Sequence, residues 1–286
     1  MIKSIEFNLI HPLFAQSWVD AFDPLLPKLW SKNVVMFHIG RSGSSVLGKL
    51  LNETNEIIWD EEIYHFFLEK VVKPQKKHSS GIINFPFDPI KLVRNRMLVR
   101  RLFHPLKKIY GCEIKFYHLR KTQIELEKYL DYLEYLGFKD WIILERRNYL
   151  RVLVSSIISN RKMKPYHIAA GENPQLVQVH LNIESTESGR KHLSLLESLQ
   201  NHQHDFQHLE YILRDRHTLK LTYEDDIEKD PRIAARRICK FLNIPNQDSQ
   251  PVYGKTNPFS LKEIIINFEE VQQVLDGTPF EWMLYE

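Results

Sequence analysis

Two short stretches carry residues whose types and spacing suit an anionic ligand. The first, Gly40-Arg41-Ser42-Gly43-Ser44-Ser45, follows the β-branched and aromatic run from Val34 to Ile39 and precedes Val46, Leu47, Leu50 and Leu51 at helical spacing. A loop at such a strand-to-helix junction presents unpaired backbone N–H groups and the positive end of the helix dipole, so it stabilises an anion. The glycines let the backbone curl closely, Ser44 and Ser45 add hydroxyls, and Arg41 adds a permanent charge with a planar fork of donors. In the second stretch, Trp141-Ile142-Ile143-Leu144 leads through Glu145-Arg146-Arg147-Asn148 into Leu150, Val154, Ile157 and Ile158 at helical spacing. There Arg147, Arg151 and Ser155 follow i, i+4, i+8 along one slowly drifting helix face. A bidentate guanidinium with a hydroxyl suits a dianionic phosphate, and Arg146 offers the same chemistry one residue earlier.

Other spacings invite chemistry less strongly. From Gly43 the chain nearly spells the triphosphate signature GxxxxGK[ST], but Leu50 stands where a hydroxyl would ligate magnesium, which argues against a metal-dependent kinase. Asp60-Glu61-Glu62 followed by His65 offers candidate general bases, and three adjacent carboxylates are expected to raise one another's pKa. His118 closes the strand-like stretch Glu113 to His118, in which Lys115, three residues away, would face the other side. His202, His204 and His208 lack an HExxH-type glutamate and read as a solvated helix face, with no metal expected.

The elements that must position these residues alternate. A third unit runs from Leu219 to Tyr223, then through Asp230-Pro231 into a helix from Ile233 to Leu242. Strand, loop and helix in repeated succession predict an α/β protein with a central parallel β-sheet flanked by helices on both faces. Long helical stretches are expected over Asp88 to His104 and Glu184 to Arg214, a helix over Leu261 to Phe268, and a surface loop over Lys73 to Pro89. No repeat or linker interrupts the chain, so residues 1–286 are read as a single domain.

Composition agrees with a compact fold: 43% of the 286 residues are hydrophobic, and 10 Gly and 14 Pro are too few for a disordered or low-complexity chain. A formal charge of +3 does not make the dense positive surface of a nucleic-acid binder, so an anion must be met locally. Cys112 and Cys239 form neither a disulfide framework nor a metal spacing, and no apolar run reaches membrane-span length. A cytoplasmic protein without an integral membrane segment is expected.

The segment Phe37-His-Ile-Gly-Arg41-Ser-Gly-Ser-Ser45-Val-Leu resembles the 5′-phosphosulfate loop of sulfotransferases that use 3′-phosphoadenosine 5′-phosphosulfate (PAPS), in particular the bacterial carbohydrate-type branch. Residues 145–155 resemble that family's 3′-phosphate motif, an Arg after a strand and a Ser eight residues later, a spacing that Arg147 and Ser155 fit. Thr222 to Leu242 is similar to the family's C-terminal strand and helix, and Gly254-Lys255-Thr256-Asn257-Pro258 to its closing loop; the resemblance spans roughly residues 34–66 and 140–270. It implies a P-loop-like nucleotide-binding sulfotransferase fold, PAPS as donor with no metal required, and a hydroxyl or amine acceptor on a small molecule, carbohydrate or lipid-like compound. Arg41, Ser42, Gly43, Ser44, Ser45, Arg147, Ser155 and Lys255 would hold the donor. Glu62, in a stretch like the Glu-Ile-(Phe/Tyr)-His of that branch, would be the base, with Glu61, His65 and His118 as runners-up. The acceptor pocket would lie among Lys70 to Lys121 and Met163 to Arg190, with Phe85, Phe87, Phe103, Tyr110 and Tyr166 as possible walls. A kinase with a degenerate loop and a non-catalytic nucleotide-binding module of the same fold are the alternatives.

Overall fold

The protein is described by a computed structural model over residues 32–68, 88–104, 106–160, 168–169, 171–188, 191–247, 249–251 and 253–286. Five strands, β1 (Asn33–His38), β2 (Ile57–Glu62), β3 (Ile109–Lys115), β4 (Phe138–Glu145) and β7 (Thr218–Thr222), form one sheet in the order β2-β3-β1-β4-β7. Every neighbouring pair is parallel. Two short strands, β5 (Thr186–Ser188) and β6 (Lys191–Leu193), pair separately and antiparallel. They occupy the start of the stretch expected to be helical from Glu184, and the helix α7 begins only at Leu195, behind the capping box of Ser194 and Glu197.

All six residues of β1 are buried, as expected of a central parallel strand covered on both faces. Alternate side chains feed two cores. Val34 and Met36 pack with Leu47, Leu50 and Leu51 of α1 (Ser44–Glu53) and with Ala234, Ile238 and Cys239 of α9 (Arg232–Phe241). Val35 and Phe37 join the larger core on the other face, built from α3 (Leu92–Phe103), α5 (Leu126–Tyr135), α6 (Tyr149–Asn160), α7 (Leu195–Leu213) and α11 (Phe268–Leu275). The remaining helices are short: α2 (Ile63–Phe67), α4 (Phe116–Thr122), α8 (Tyr223–Asp226) and α10 (Leu261–Ile264).

The expected helix over Leu261 to Phe268 is broken. Ile264 O accepts from Val179 N and Ile266 N donates to Val179 O, so the chain pairs with a distant segment between α10 and α11. Tyr110 is fully buried and donates its hydroxyl to Asp60 at 3.1 Å, so it is core and not a wall of an acceptor pocket. Phe85, Phe87, Tyr166 and nearly all of the Lys73 to Pro89 loop lie outside the described residues. Among the described residues no helix is long and apolar enough to cross a membrane, and both cysteines are buried and unpaired.

The expected solvated histidine face is corrected at one position. His202 is 9% exposed, it faces the Tyr149 ring, and its Nδ1 has no hydrogen-bond partner among the described residues. His204 is exposed, and His208 reaches Glu127 at 3.0 Å. Burial pushes the His202 pKa down from 6.5 to about 4. The folded chain therefore binds fewer protons there than the unfolded chain, and stability is lost as pH falls from about 6.5 towards 4, by up to about 1.4 kcal/mol per pH unit. His202→Leu is expected to narrow the gap between melting temperatures at pH 7.5 and pH 5, and an unchanged gap would refute this assignment.

Candidate functional site

At the carboxyl ends of the strands, β1 passes into α1 through a loop with Gly40, Arg41 and Gly43 at φ of 88°, 54° and 82°. That region favours glycine, and only a tightly held arginine persists in it. At Gly43 a side chain is also excluded by space, because a Cβ would lie 2.7 Å from Ile227 Cγ2. Carboxyl ends of strands flanked by helix N-termini are where open parallel sheets bind ligands.

The second junction, between β4 and α6, faces the first. Arg41 Nε donates to Ser155 Oγ at 2.8 Å, and Arg146 Nη1 donates to the Arg41 carbonyl at 2.8 Å. The two stretches thus share one cleft of about 270 Å³, lined by Arg41, Gly43, Ser44, Ser45, Glu62, Arg146 and Ser155. Tyr223, Ile227, Glu228, Tyr253, Lys255 and Thr256 complete it from the C-terminal third. A smaller cavity adjoins it around Arg146, Arg151, Ser155, Lys255 and Asn257.

The arginine register differs from the spacing-based expectation. The guanidinium of Arg147 is turned outward to Asp225 at 3.0 Å and Glu224 at 3.6 Å, and Arg147 lines neither cavity. The cause is distant in sequence: the Glu224 carboxylate accepts from the backbone N–H groups of Arg147 and Asn148, and with Asp225 it draws that side chain to the surface. Arg146 takes the cleft position. Its guanidinium lies 4.2 Å from the Tyr223 ring, its Nε has no hydrogen-bond partner among the described residues, and burial holds its pKa below the usual arginine value. A desolvated cation with an unused N–H is a seat for an anion. Arg151 is committed elsewhere, to the carbonyls of Glu286 at 2.7 Å and Phe259 at 3.0 Å. Ser42 is fully buried and does not line the cleft, and Lys255 sits at the rim, 3.0 Å from Glu228.

The acidic stretch is not a cluster in space. Asp60 points inward to Arg96 at 2.5 Å, Glu61 points outward to Lys49 at 3.4 Å, and only Glu62 lines the cleft. Its carboxylate pairs with Lys115 and has His118 Nε2 at 3.7 Å and His65 Nδ1 at 3.9 Å. Burial alone would raise the Glu62 pKa, but Lys115, His38 and His118 outweigh it and hold the carboxyl below its ordinary value. The expected upward shift is therefore reversed.

Lys115 and His118 come together because β3 ends at Lys115 and α4 begins at Phe116, so strand alternation no longer separates them. The helix start also fixes the imidazole: His118 Nδ1 accepts the Lys115 N–H at 3.4 Å, which leaves the proton on Nε2, facing Glu62. Burial pushes the His118 pKa down to about 3. A neutral imidazole already protonated on the side facing Glu62 is not a base. Lys115 was not assigned to the site on sequence grounds; the signal that could have found it was a helix start at Phe116.

His38, Glu62 and Glu113 bring ligand atoms within 4.8 Å of one another, a spacing that could hold a cation. Glu62 is already paired with Lys115, and Glu113 accepts from Trp59 Nε1 at 2.8 Å.

In comparisons with known proteins, no family model and no curated protein matches the chain. Among solved structures, the crystal structure of a sulfotransferase from Alicyclobacillus acidocaldarius aligns over 88% of this chain and 94% of that chain, with 16% identity and a TM-score of 0.48.

Proposed function

We propose that the chain is a sulfotransferase whose cleft takes PAPS and passes its sulfuryl group to a hydroxyl or amine of a small-molecule or carbohydrate acceptor. The observation that carries this reading is the convergence of two anion-seating junctions on one cleft, joined by the Arg41–Ser155 hydrogen bond. One phosphate needs one such junction; a nucleotide with phosphate groups on both its 5′ and 3′ oxygens uses two.

The loop from Arg41 to Ser45 would hold the 5′-phosphosulfate, and Arg146, Ser155 and Lys255 the 3′-phosphate. As the acceptor's oxygen or nitrogen bonds to sulfur, the bond from sulfur to the 5′-phosphate oxygen breaks and that oxygen keeps the electron pair. The acceptor's proton passes to Glu62. Lys115 lies against the loop, with Nζ 3.4 Å from where a Gly40 Cβ would stand, so its charge can stabilise the departing oxygen. Glu62 stays ionised beside Lys115, ready to accept a proton, with the His118 ring 3.7 Å from its carboxylate. The buried, unpaired cysteines support a reducing, cytoplasmic setting.

The kinase reading is disfavoured by position. Lys49 is spent on the exposed Glu61, and Leu50 is buried in the core, so neither serves a triphosphate or its magnesium. Calorimetry with adenosine 3′,5′-bisphosphate in the presence of EDTA is expected to show saturable binding, followed by transfer of labelled sulfate from PAPS in an acceptor screen. Absence of binding, or a strict need for Mg²⁺, overturns the donor assignment; binding without transfer to any acceptor supports the non-catalytic module instead.

A further inference from the structure

Beneath the anion loop lies a buried histidine–glutamate pair that the proposed chemistry does not use. His38 and Glu113 are 0% and 1% exposed, and they come from adjacent central strands. His38 Nδ1 accepts the Gly40 N–H at 3.2 Å, and its Nε2, which makes no hydrogen bond among the described residues, lies 3.4 Å from Glu113 Oε2. Glu113 accepts from Trp59 Nε1 at 2.8 Å, and burial, which would raise its pKa, is outweighed by His38, Trp59 and Ser44, the first residue of α1, which hold the carboxyl below its ordinary value. The approach requires Gly48, where a Cβ would stand 2.9 Å from Trp59 Cδ1 and 3.0 Å from Glu113 Oε1.

We infer that His38 and Glu113 act together as positioning residues that pre-form the anion loop, gripping its first residue through the Gly40 amide and seating the start of α1 where Glu113 meets Gly48. The inference rests on the sulfotransferase reading for the identity of the ligand, but not for the state of the loop. Three residues of this loop hold left-handed backbone angles, one of them an arginine, so without an anchor at each end the segment would sample many other shapes. A carboxylate is suited to the task because it only accepts: one oxygen takes the Trp59 N–H and the other faces His38 Nε2. A buried acid directly under an anion site repels the ligand and is tolerated only where it does other work. Here that work is ordering, which removes an entropy penalty from binding. A consequence is that the Gly40 N–H is directed inward, so the anion is met by the remaining loop amides, Ser44, Ser45 and the arginines.

Glu113→Gln keeps the shape but loses the charge and puts two N–H donors between the Trp59 N–H and His38 Nε2. It is expected to raise the KM for PAPS and the Kd for adenosine 3′,5′-bisphosphate about tenfold while the acceptor KM stays within twofold, with the Kd for inorganic sulfate rising in parallel. His38→Ala combined with Glu113→Gln should cost little more than either alone, because the two serve one anchor. A folded Glu113→Gln variant with wild-type donor parameters, or one in which donor and acceptor constants shift equally, overturns the inference. Should that variant not fold, hydrogen exchange on the unsubstituted chain without ligand decides: the Gly40 amide must be strongly protected, and exchange at a free-loop rate overturns the inference. If the wild type binds sulfate and protects its loop but ignores the bisphosphate, the donor reading fails while this one stands.

Discussion

Arg146→Ala is expected to weaken binding of adenosine 3′,5′-bisphosphate by about a hundredfold, whereas Arg147→Ala should change it by less than about threefold. The contrast follows from what each guanidinium already does. Arg147 is half-exposed and neutralised by Glu224 and Asp225, so its loss frees two surface carboxylates and leaves the cleft untouched. Arg146 stands in the cleft, stacks on Tyr223, ties down the Arg41 carbonyl and keeps an N–H unused. A charge-assisted, partly desolvated hydrogen bond is worth about 1.5–3 kcal/mol, and losing the Arg41 anchor adds to that. Arg146→Lys should recover only a small part, because an ammonium cannot both stack flat on Tyr223 and reach the Arg41 carbonyl. Titration calorimetry on the three variants checks the ranking; equal losses at the two positions, or a larger loss at Arg147, would reject the assignment of the 3′-phosphate seat.

How much of this was legible in the sequence depends on the range of the interactions that fix each feature. The junction at residues 40–45 and the three strand-to-helix units are local patterns, and the parallel sheet follows from their succession. The choice between Arg146 and Arg147 is decided by a carboxylate 77 residues away, which no local spacing encodes. Asp60, Glu61 and Glu62 look like one acidic cluster because they are consecutive, yet β2 sends Asp60 into the core towards Arg96. Their mutual repulsion, the basis for expecting a raised pKa, is replaced at Glu62 by the attraction of Lys115. That attraction depends in turn on where β3 stops, and one residue more of strand would have turned His118 away. The chemistry of the site was thus readable in type, and its charge balance only in three dimensions.

That charge balance gives the second large effect. Glu62→Gln is expected to lower kcat by about a thousandfold while donor affinity changes little, since a general base contributes to the proton-transfer step and not to holding the nucleotide. The amide keeps the side chain's size beside Lys115 and His118, so a fall in kcat without a change in melting temperature reports chemistry. The pH profile carries an independent signature. Because Lys115, His38 and His118 outweigh burial and hold the carboxyl below its ordinary 4.5, the ionised form persists as acid is added, and the acid limb of kcat/KM should fall below pH 4.5. An acid limb near 6.5 would instead mark an imidazole as base. His118 cannot supply that limb, because its own pKa is pushed down to about 3 and its Nε2 already carries the proton facing Glu62. His118→Asn should leave the position of the acid limb nearly unchanged and lower kcat by about tenfold, because the Glu62 carboxylate loses the ring 3.7 Å away that helps to hold it in place. A Glu62→Gln enzyme with kcat within tenfold of wild type would remove Glu62 from the proton transfer.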